Sequence, residues 1–264
     1  MIQTSFVSHQ SPRLTLVGAG PGDPELITLK GINALKTADI VLYDALVSEE
    51  ILNNIPVGIP SFCVGKRAGS HSFKQEEINE LIVEFAYLYG HVVRLKGGDP
   101  FVFARGSEEI AFAESRGITT FMVPGISSAL AVPASLNIPV TARGICESFW
   151  VVTGTTKEGA ISADIALAAQ SSATIVILMG LNKIREIMEQ FVSCGKNEIP
   201  VAVIQNGTLS NQKSVIGNAS TIGDLAMDAG IGSPAIIVVG EVVNHAHARE
   251  EIAQEIGIQC YKNG

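Results

Sequence analysis

Short, continuously apolar runs alternate with longer helix-patterned stretches along this chain, and that alternation constrains the fold more than any other feature. The runs fall at residues 14–17, 40–43, 62–64, 92–95, 121–123, 149–152, 174–179, 201–204 and 235–239. Helix patterns occupy 75–88, 107–116, 127–136, 183–192 and 221–229. Most of the short runs lack polar alternation, as expected of strands covered on both faces. Strand–helix alternation over the whole length predicts an α/β protein with mostly parallel sheets. Nine strands are many for one sheet. The aperiodic segment 137–144, which carries Pro139 and Gly144, is read as the link between two α/β domains, residues 1–145 and 146–264.

Composition excludes several function classes. With 47% hydrophobic and 17% charged residues, the chain is too apolar to be disordered. Its net charge of −8 argues against a general nucleic-acid binder. A polyanionic substrate would need a local basic patch. Lys66, Arg67, Lys74, Arg94, Lys96 and Arg105 lie within one stretch and predict such a rim, although simple solvation accounts for Lys74 equally well. The four cysteines, Cys63, Cys146, Cys194 and Cys260, have neither zinc-ligand nor redox spacing, so no metal is expected. The apolar runs are about half the length of a membrane helix. Together with the absence of a signal-like N-terminus, this points to a cytoplasmic protein with no membrane partner.

Three glycine-bearing loops follow predicted strands: VGAGPGDP at 17–24, RLKGGDPF at 94–101 and VPGISS at 123–128. Glycine lets a backbone turn sharply and approach a ligand closely. The first loop departs from the dinucleotide fingerprint. Asp23 stands where that motif wants glycine, and Pro21 removes an N–H that would face a pyrophosphate. No lysine sits in a phosphate-clamping motif, so the loops suit a polar, neutral-to-cationic cofactor with an adenosine end. The tripeptide Gly-Asp-Pro occurs at 22–24 and at 98–100, each time with aspartate placed as N-cap and proline as first helical residue. Asp44, after the second run, reads as a turn-forming residue or as a carboxylate with a chemical role. By residue type alone, Met179 and Trp150 are core.

GAGPGDPELITLKG at 18–31, LYDALVS around Asp44, VGKRAG at 64–69, RLKGGDPFVFAR at 94–105, VPG at 123–125, ILMGL around Met179 and NGT at 206–208 appear in order. This set resembles the uroporphyrinogen-III C-methyltransferases, within the tetrapyrrole methylases, over roughly residues 13–243. The resemblance implies two α/β domains with an active-site cleft between them, a homodimer, and S-adenosylmethionine as methyl donor. It implies two methylations of uroporphyrinogen III, at C-2 and C-7 through precorrin-1, giving precorrin-2 for sirohaem or cobalamin. A later precorrin intermediate is the alternative substrate.

Carried onto this sequence, the resemblance places cofactor contacts at Pro21, Gly97, Gly98, Asp99, Val102, Ser127, Ser128, Met179 and Gly207. It makes Asp44 the proton acceptor and Lys66 the proton donor. Arg67, Arg105 and Arg143 are candidates to bind substrate carboxylates. The chain departs from the family at Ala142 and Thr155, where histidines are usual, and at Ala104 and Ser107, where glycines are usual.

Overall fold

A computed structural model of the chain describes residues 11–65 and 73–246, which form two compact units dividing after Ser127. In the first unit the order is β1 (Arg13–Gly18), α1 (Leu29–Lys36), β2 (Ile40–Tyr43), α2 (Glu49–Leu52), β3 (Ser61–Cys63), α3 (Gln75–Tyr89), β4 (His91–Lys96), α4 (Gly106–Ser115) and β5 (Thr119–Val123). The strands form one sheet in the order β3-β2-β4-β1-β5, and every pairing is parallel.

The period of two along each strand divides the side chains between two covered faces. Leu14, Leu16, Ile40, Leu42 and Val92 pack against Ile78, Ile82 and Ala86 of α3 and Ala113 of α4. Val17, Val41, Val93 and Leu95 pack on the other side, with Leu35 of α1 and Ile51 of α2. The register of α3 follows from its buried residues Ile78, Ile82 and Ala86, four apart. The Glu77 carboxylate accepts from the Lys74 backbone N–H and fixes the start of that helix.

The second unit contains α5 (Ser128–Ser135), β6 (Phe149–Thr153), α6 (Asp164–Gln170), β7 (Thr174–Leu178), α7 (Ile184–Ser193), β8 (Pro200–Gln205), β9 (Lys213–Asn218), α8 (Ile222–Asp228) and β10 (Ala235–Val239). Its sheet runs β6-β7-β10-β8-β9. Here the expected parallel arrangement is corrected. Only β6 and β7 pair in parallel, and the pairs β7–β10, β10–β8 and β8–β9 are antiparallel. Residues 206–212 between β8 and β9 are too few for a crossover helix, so the two strands return as a hairpin.

The division also falls earlier than the expected link near residue 145. Ala129 and Val132 of α5, with Ile138 and Cys146, pack on Val176, Ala202, Ile204 and Val238 of the second sheet. The opposite face of that sheet carries Ile175, Ile177, Val201, Val203 and Ile237 against α6, α7 and α8. Trp150, expected in the core, is 39% exposed on the edge strand β6.

Candidate functional site

In a parallel sheet the C-terminal ends of all strands share one edge. Gly18–Gly22 follow β1, Asp44 follows β2, Gly97–Asp99 follow β4 and Pro124–Ser127 follow β5 along that edge. The loops are stitched to one another. Gly20 N donates to Gly98 O at 3.2 Å, and Gly98 N donates to Gly20 O at 2.7 Å. Asp99 Oδ1 accepts from Phe101 N at 2.8 Å, and its Oδ2 accepts from Gly125 N at 3.1 Å.

A Cβ on Gly18 would lie 2.4 Å from Gly125 N and 2.7 Å from Gly98 O. One on Gly125 would lie 2.2 Å from Gly98 O. Glycine is required at these two positions because backbone packs on backbone from three loops. That sharpens the sequence reading, in which the glycines simply faced a ligand.

The two Gly-Asp-Pro copies differ. Asp23 caps a short turn of 3₁₀ helix, Pro24–Leu26, accepting from Glu25 N at 2.8 Å, as expected. Asp99 opens no helix. Residues 99–103 form turns, and α4 begins only at Gly106, after Phe103 and Arg105 have both adopted left-handed backbone angles (φ 52° and 59°). The carboxylate of Asp99 is used to join the β4 and β5 loops.

Beneath this edge lies a buried ion cluster. Arg94 and Lys96 alternate with Val93 and Leu95 on β4 and project to the α3–α4 side, where each is 2% exposed. They are therefore not part of a solvent-facing rim, which corrects the expectation for both. The Arg94 guanidinium is hydrogen-bonded to Asp44 Oδ1 and reaches Glu109 Oε1 of α4 through Nε at 3.3 Å. Lys96 Nζ is 2.9 Å from Glu109 Oε1 and 3.9 Å from Asp44 Oδ2.

Burial works against the Arg94 charge, yet Asp44 and Glu109 hold its guanidinium above the ordinary arginine value. Burial and then the neighbouring Arg94 pull the Lys96 ammonium below the lysine range, against the attraction of Glu109 and Asp44. Desolvating such ions costs several kcal/mol each, and removing one partner typically costs about 3–5 kcal/mol. The cluster therefore locks Asp44, whose side chain is 27% exposed, at the mouth of the loops. Glu109 was not singled out by the sequence reading. Its signal was present: Gly106, Glu109 and Ala113 share the buried stripe of α4.

In the second unit, β10 is antiparallel to both β7 and β8, so the C-terminal ends of β7 and β8 flank its start. Met179 follows β7 with φ 55° and is 55% exposed. Asn206 and Thr208, after β8, are also left-handed, at φ 49° and 70°. Such backbone costs about 1–3 kcal/mol per non-glycine residue and gathers at functional sites; residue type hints at it only for Asn206. Thr155 Oγ1 donates to Met179 O at 3.2 Å. A Cβ on Gly207 would lie 2.3 Å from Val132 Cγ1, so this glycine is needed for contact with α5.

Pro21, Gly97, Val102, Ser127 and Ser128 are half-buried. Arg105 is exposed and paired with Glu108 through 2.9 and 2.6 Å contacts; Arg143 is exposed. Lys66 and Arg67 lie outside the described residues. Among the described residues no group of three or more histidine, cysteine or acidic side chains could hold a metal. None of their helices is long and apolar enough to cross a membrane.

A family model for the Tetrapyrrole (Corrin/Porphyrin) Methylases matches residues 13–223. The chain is 48% identical over 234 residues to the uroporphyrinogen-III C-methyltransferase of Methanocaldococcus jannaschii, covering 88% of this chain and 97% of that one. It is 47% identical over 235 residues to the siroheme synthase of Photorhabdus laumondii, covering 89% of this chain but only half of that longer protein. Among solved structures, the uroporphyrin-III C-methyl transferase of Thermus thermophilus complexed with S-adenyl homocysteine superposes with a TM-score of 0.76 at 36% identity. That match covers 88% of this chain and 99% of the other.

Proposed function

The chain belongs to the tetrapyrrole methylases, and on that premise we propose that it is an S-adenosylmethionine-dependent C-methyltransferase converting uroporphyrinogen III to precorrin-2. It adds methyl groups at C-2 and C-7, with precorrin-1 between the two steps, and the product serves sirohaem or cobalamin synthesis. The observation that carries this reading is Asp44. It is a partly exposed carboxylate fixed by two buried cations at the edge of a stitched glycine-loop platform.

The residues present fit the cofactor. The two cations that reach the loop edge from β4 are committed to Asp44 and Glu109, so they form no phosphate clamp. That agrees with a ligand carrying adenosine and a positive sulfonium, and disfavours a dinucleotide. S-adenosylmethionine, when bound, supplies a methyl group already activated for displacement, which leaves positioning and charge to the protein. Cofactor contacts are assigned to Pro21, Gly97, Gly98, Asp99, Val102 and Ser127 in the first unit and to Ser128, Met179 and Gly207 in the second.

The pyrrole carbon attacks as an enamine, positive charge develops on the ring nitrogen, and a proton then leaves a neighbouring carbon. Asp44 Oδ1 is occupied by Arg94, whereas among the described residues Oδ2 has only the 3.9 Å approach of Lys96. Oδ2 is therefore the atom proposed to steady the charge and take the proton. Lys66 is proposed as the proton donor. Arg67, Arg105 and Arg143 are proposed to hold substrate carboxylates. The Arg105–Glu108 pair is half-exposed on both sides and worth little, so it can exchange for a substrate carboxylate. Exposed Phe149 and Trp150 on edge strand β6 support a homodimer, and a cytoplasmic location is part of the proposal.

Anaerobic incubation with uroporphyrinogen III and methyl-labelled S-adenosylmethionine, followed by oxidation and mass spectrometry, tests the reading. A gain of two methyl groups is expected. S-adenosylhomocysteine binding without methyl gain would move the substrate to a later precorrin.

A further inference from the structure

We infer that Glu109 is a positioning residue for the reaction: by neutralising one of the two buried cations that face Asp44, it leaves that carboxylate able to accept a proton. The inference rests on the role proposed above for Asp44. Among the described residues four charged groups meet below the loop edge, Arg94 and Lys96 from β4, Asp44 after β2 and Glu109 from α4, and they balance as two cations and two carboxylates. From α3, packed against the same site, neutral Gln75 reaches the cluster, its Nε2 donating to Glu109 Oε1 at 3.2 Å, while Glu76 acts through space on Arg105. Arg105, exposed just ahead of α4, feels Glu109 only through space.

Glu109 itself is fully buried and cannot reach a substrate. Its Oε1 takes all three contacts, from Gln75, Arg94 and Lys96. Among the described residues its buried Oε2 has no hydrogen-bond partner. A carboxylate bound so unevenly is poorly explained as a structural staple, since leaving one oxygen unsatisfied in the interior has a cost. Its charge is the property the site uses. Without it, two buried cations would face Asp44 with no second carboxylate to offset them.

The test compares the pH dependence of methyl transfer in the full-length protein, Glu109→Gln, Lys96→Met and the double variant, with S-adenosylhomocysteine affinity measured for each. Glu109→Gln is expected to move the acid limb of kcat down by about one pH unit and lower the plateau about tenfold. Lys96→Met moves the limb upward, and the double variant, neutral again, returns it close to the wild-type position. Cofactor affinity stays within about twofold throughout, because the loops are joined by their own hydrogen bonds.

Limbs that do not move, that move in the same direction for both single variants, or that suffer added damage in the double variant overturn the inference. If Glu109→Gln fails to fold, the sign of the Lys96→Met shift decides. Carbon-13 NMR titration of Asp44 in wild type and variants reads the same electrostatics without turnover. A titration shift in a protein that does not methylate uroporphyrinogen III would remove the proposed substrate while leaving the role of Glu109 in place. An unmoved titration removes the role of Glu109 itself.

Discussion

Replacing Gly18 by alanine tests whether the three glycine loops are one mechanical piece. The added methyl would sit 2.4 Å from Gly125 N, 2.5 Å from Gly125 Cα and 2.7 Å from Gly98 O. All three are backbone atoms, so no side chain can swing aside. Reaching ordinary contact requires the β1 loop to separate from the β4 and β5 loops by about 1 Å, which strains the paired Gly20–Gly98 hydrogen bonds and the Asp99–Gly125 bond. Overpacking of this kind costs about 1–3 kcal/mol. For a chain of this size that corresponds to a melting point lower by about 2–12 °C.

The functional consequence should be larger than the stability loss. A platform displaced by about 1 Å presents its backbone groups out of register, and S-adenosylhomocysteine affinity should fall at least about tenfold, equivalent to about 1.4 kcal/mol. Calorimetric titration and thermal unfolding measure the two effects on the same sample. Gly58→Ala is the control: unlike Gly18, that glycine is left-handed, at φ 93°, and among the described residues nothing lies within 4 Å of a built Cβ. It should lose about 1–2 kcal/mol from backbone strain alone and keep its affinity. Gly18→Ala with wild-type affinity, or with a loss no greater than Gly58→Ala, would refute the claim that loop-to-loop packing shapes the cofactor platform.

Asp44→Asn should lower kcat by about 10²–10⁴-fold while leaving S-adenosylhomocysteine binding within about twofold, as measured by labelled-methyl transfer and titration. Gly207→Ala drives a methyl to 2.3 Å from Val132 Cγ1 and should cost about 1–3 kcal/mol in urea unfolding. Gly207→Ala combined with Val132→Ala should recover part of that loss, a non-additive pair. His91 is buried and neutral, with Thr37 O accepting from Nδ1 at 2.7 Å and Thr15 Oγ1 2.8 Å from Nε2. Burial holds its pKa below the ordinary 6.5, so the unfolded chain binds the proton first. Stability is then full above about pH 6.5 and declines below it, by at most about 1.4 kcal/mol per pH unit until the folded value is passed. Urea midpoints at successive pH values should show that decline, and His91→Gln should flatten it.

The strands and most helices were legible because burial on both faces leaves continuous apolar runs, and an amphipathic helix leaves a period near 3.6. Direction was not legible. Runs such as 201–204 and 235–239 report that both faces are covered, not which way neighbouring strands point, so the antiparallel half of the second sheet went unread. The strand β9 carries KSVIGN, too polar and too short on apolar residues to stand out at a sheet edge. Helix α1 has a glycine as its third residue, which weakens any pattern in so short a helix. The unit boundary depended on which sheet α5 would cover, and α5 is apolar enough all round to suit either.

The ion cluster shows where reading by residue type misleads. Arg94 and Lys96 suggested a basic rim because most charged side chains are exposed. The strand's own periodicity pointed elsewhere. Val92, Arg94 and Lys96 share a face, and Val92 belongs to the apolar layer under α3 and α4, so the two cations had to enter that layer as well. Buried cations require acids, and the helix covering that layer contains one acid on its inward stripe, Glu109. The same reasoning explains why Asp44 stands out among the aspartates of the loops. Asp23 and Asp99 have both been turned inward to backbone N–H groups. Asp44 is instead bound on one oxygen by a buried charge, and among the described residues its other oxygen meets only Lys96, at 3.9 Å.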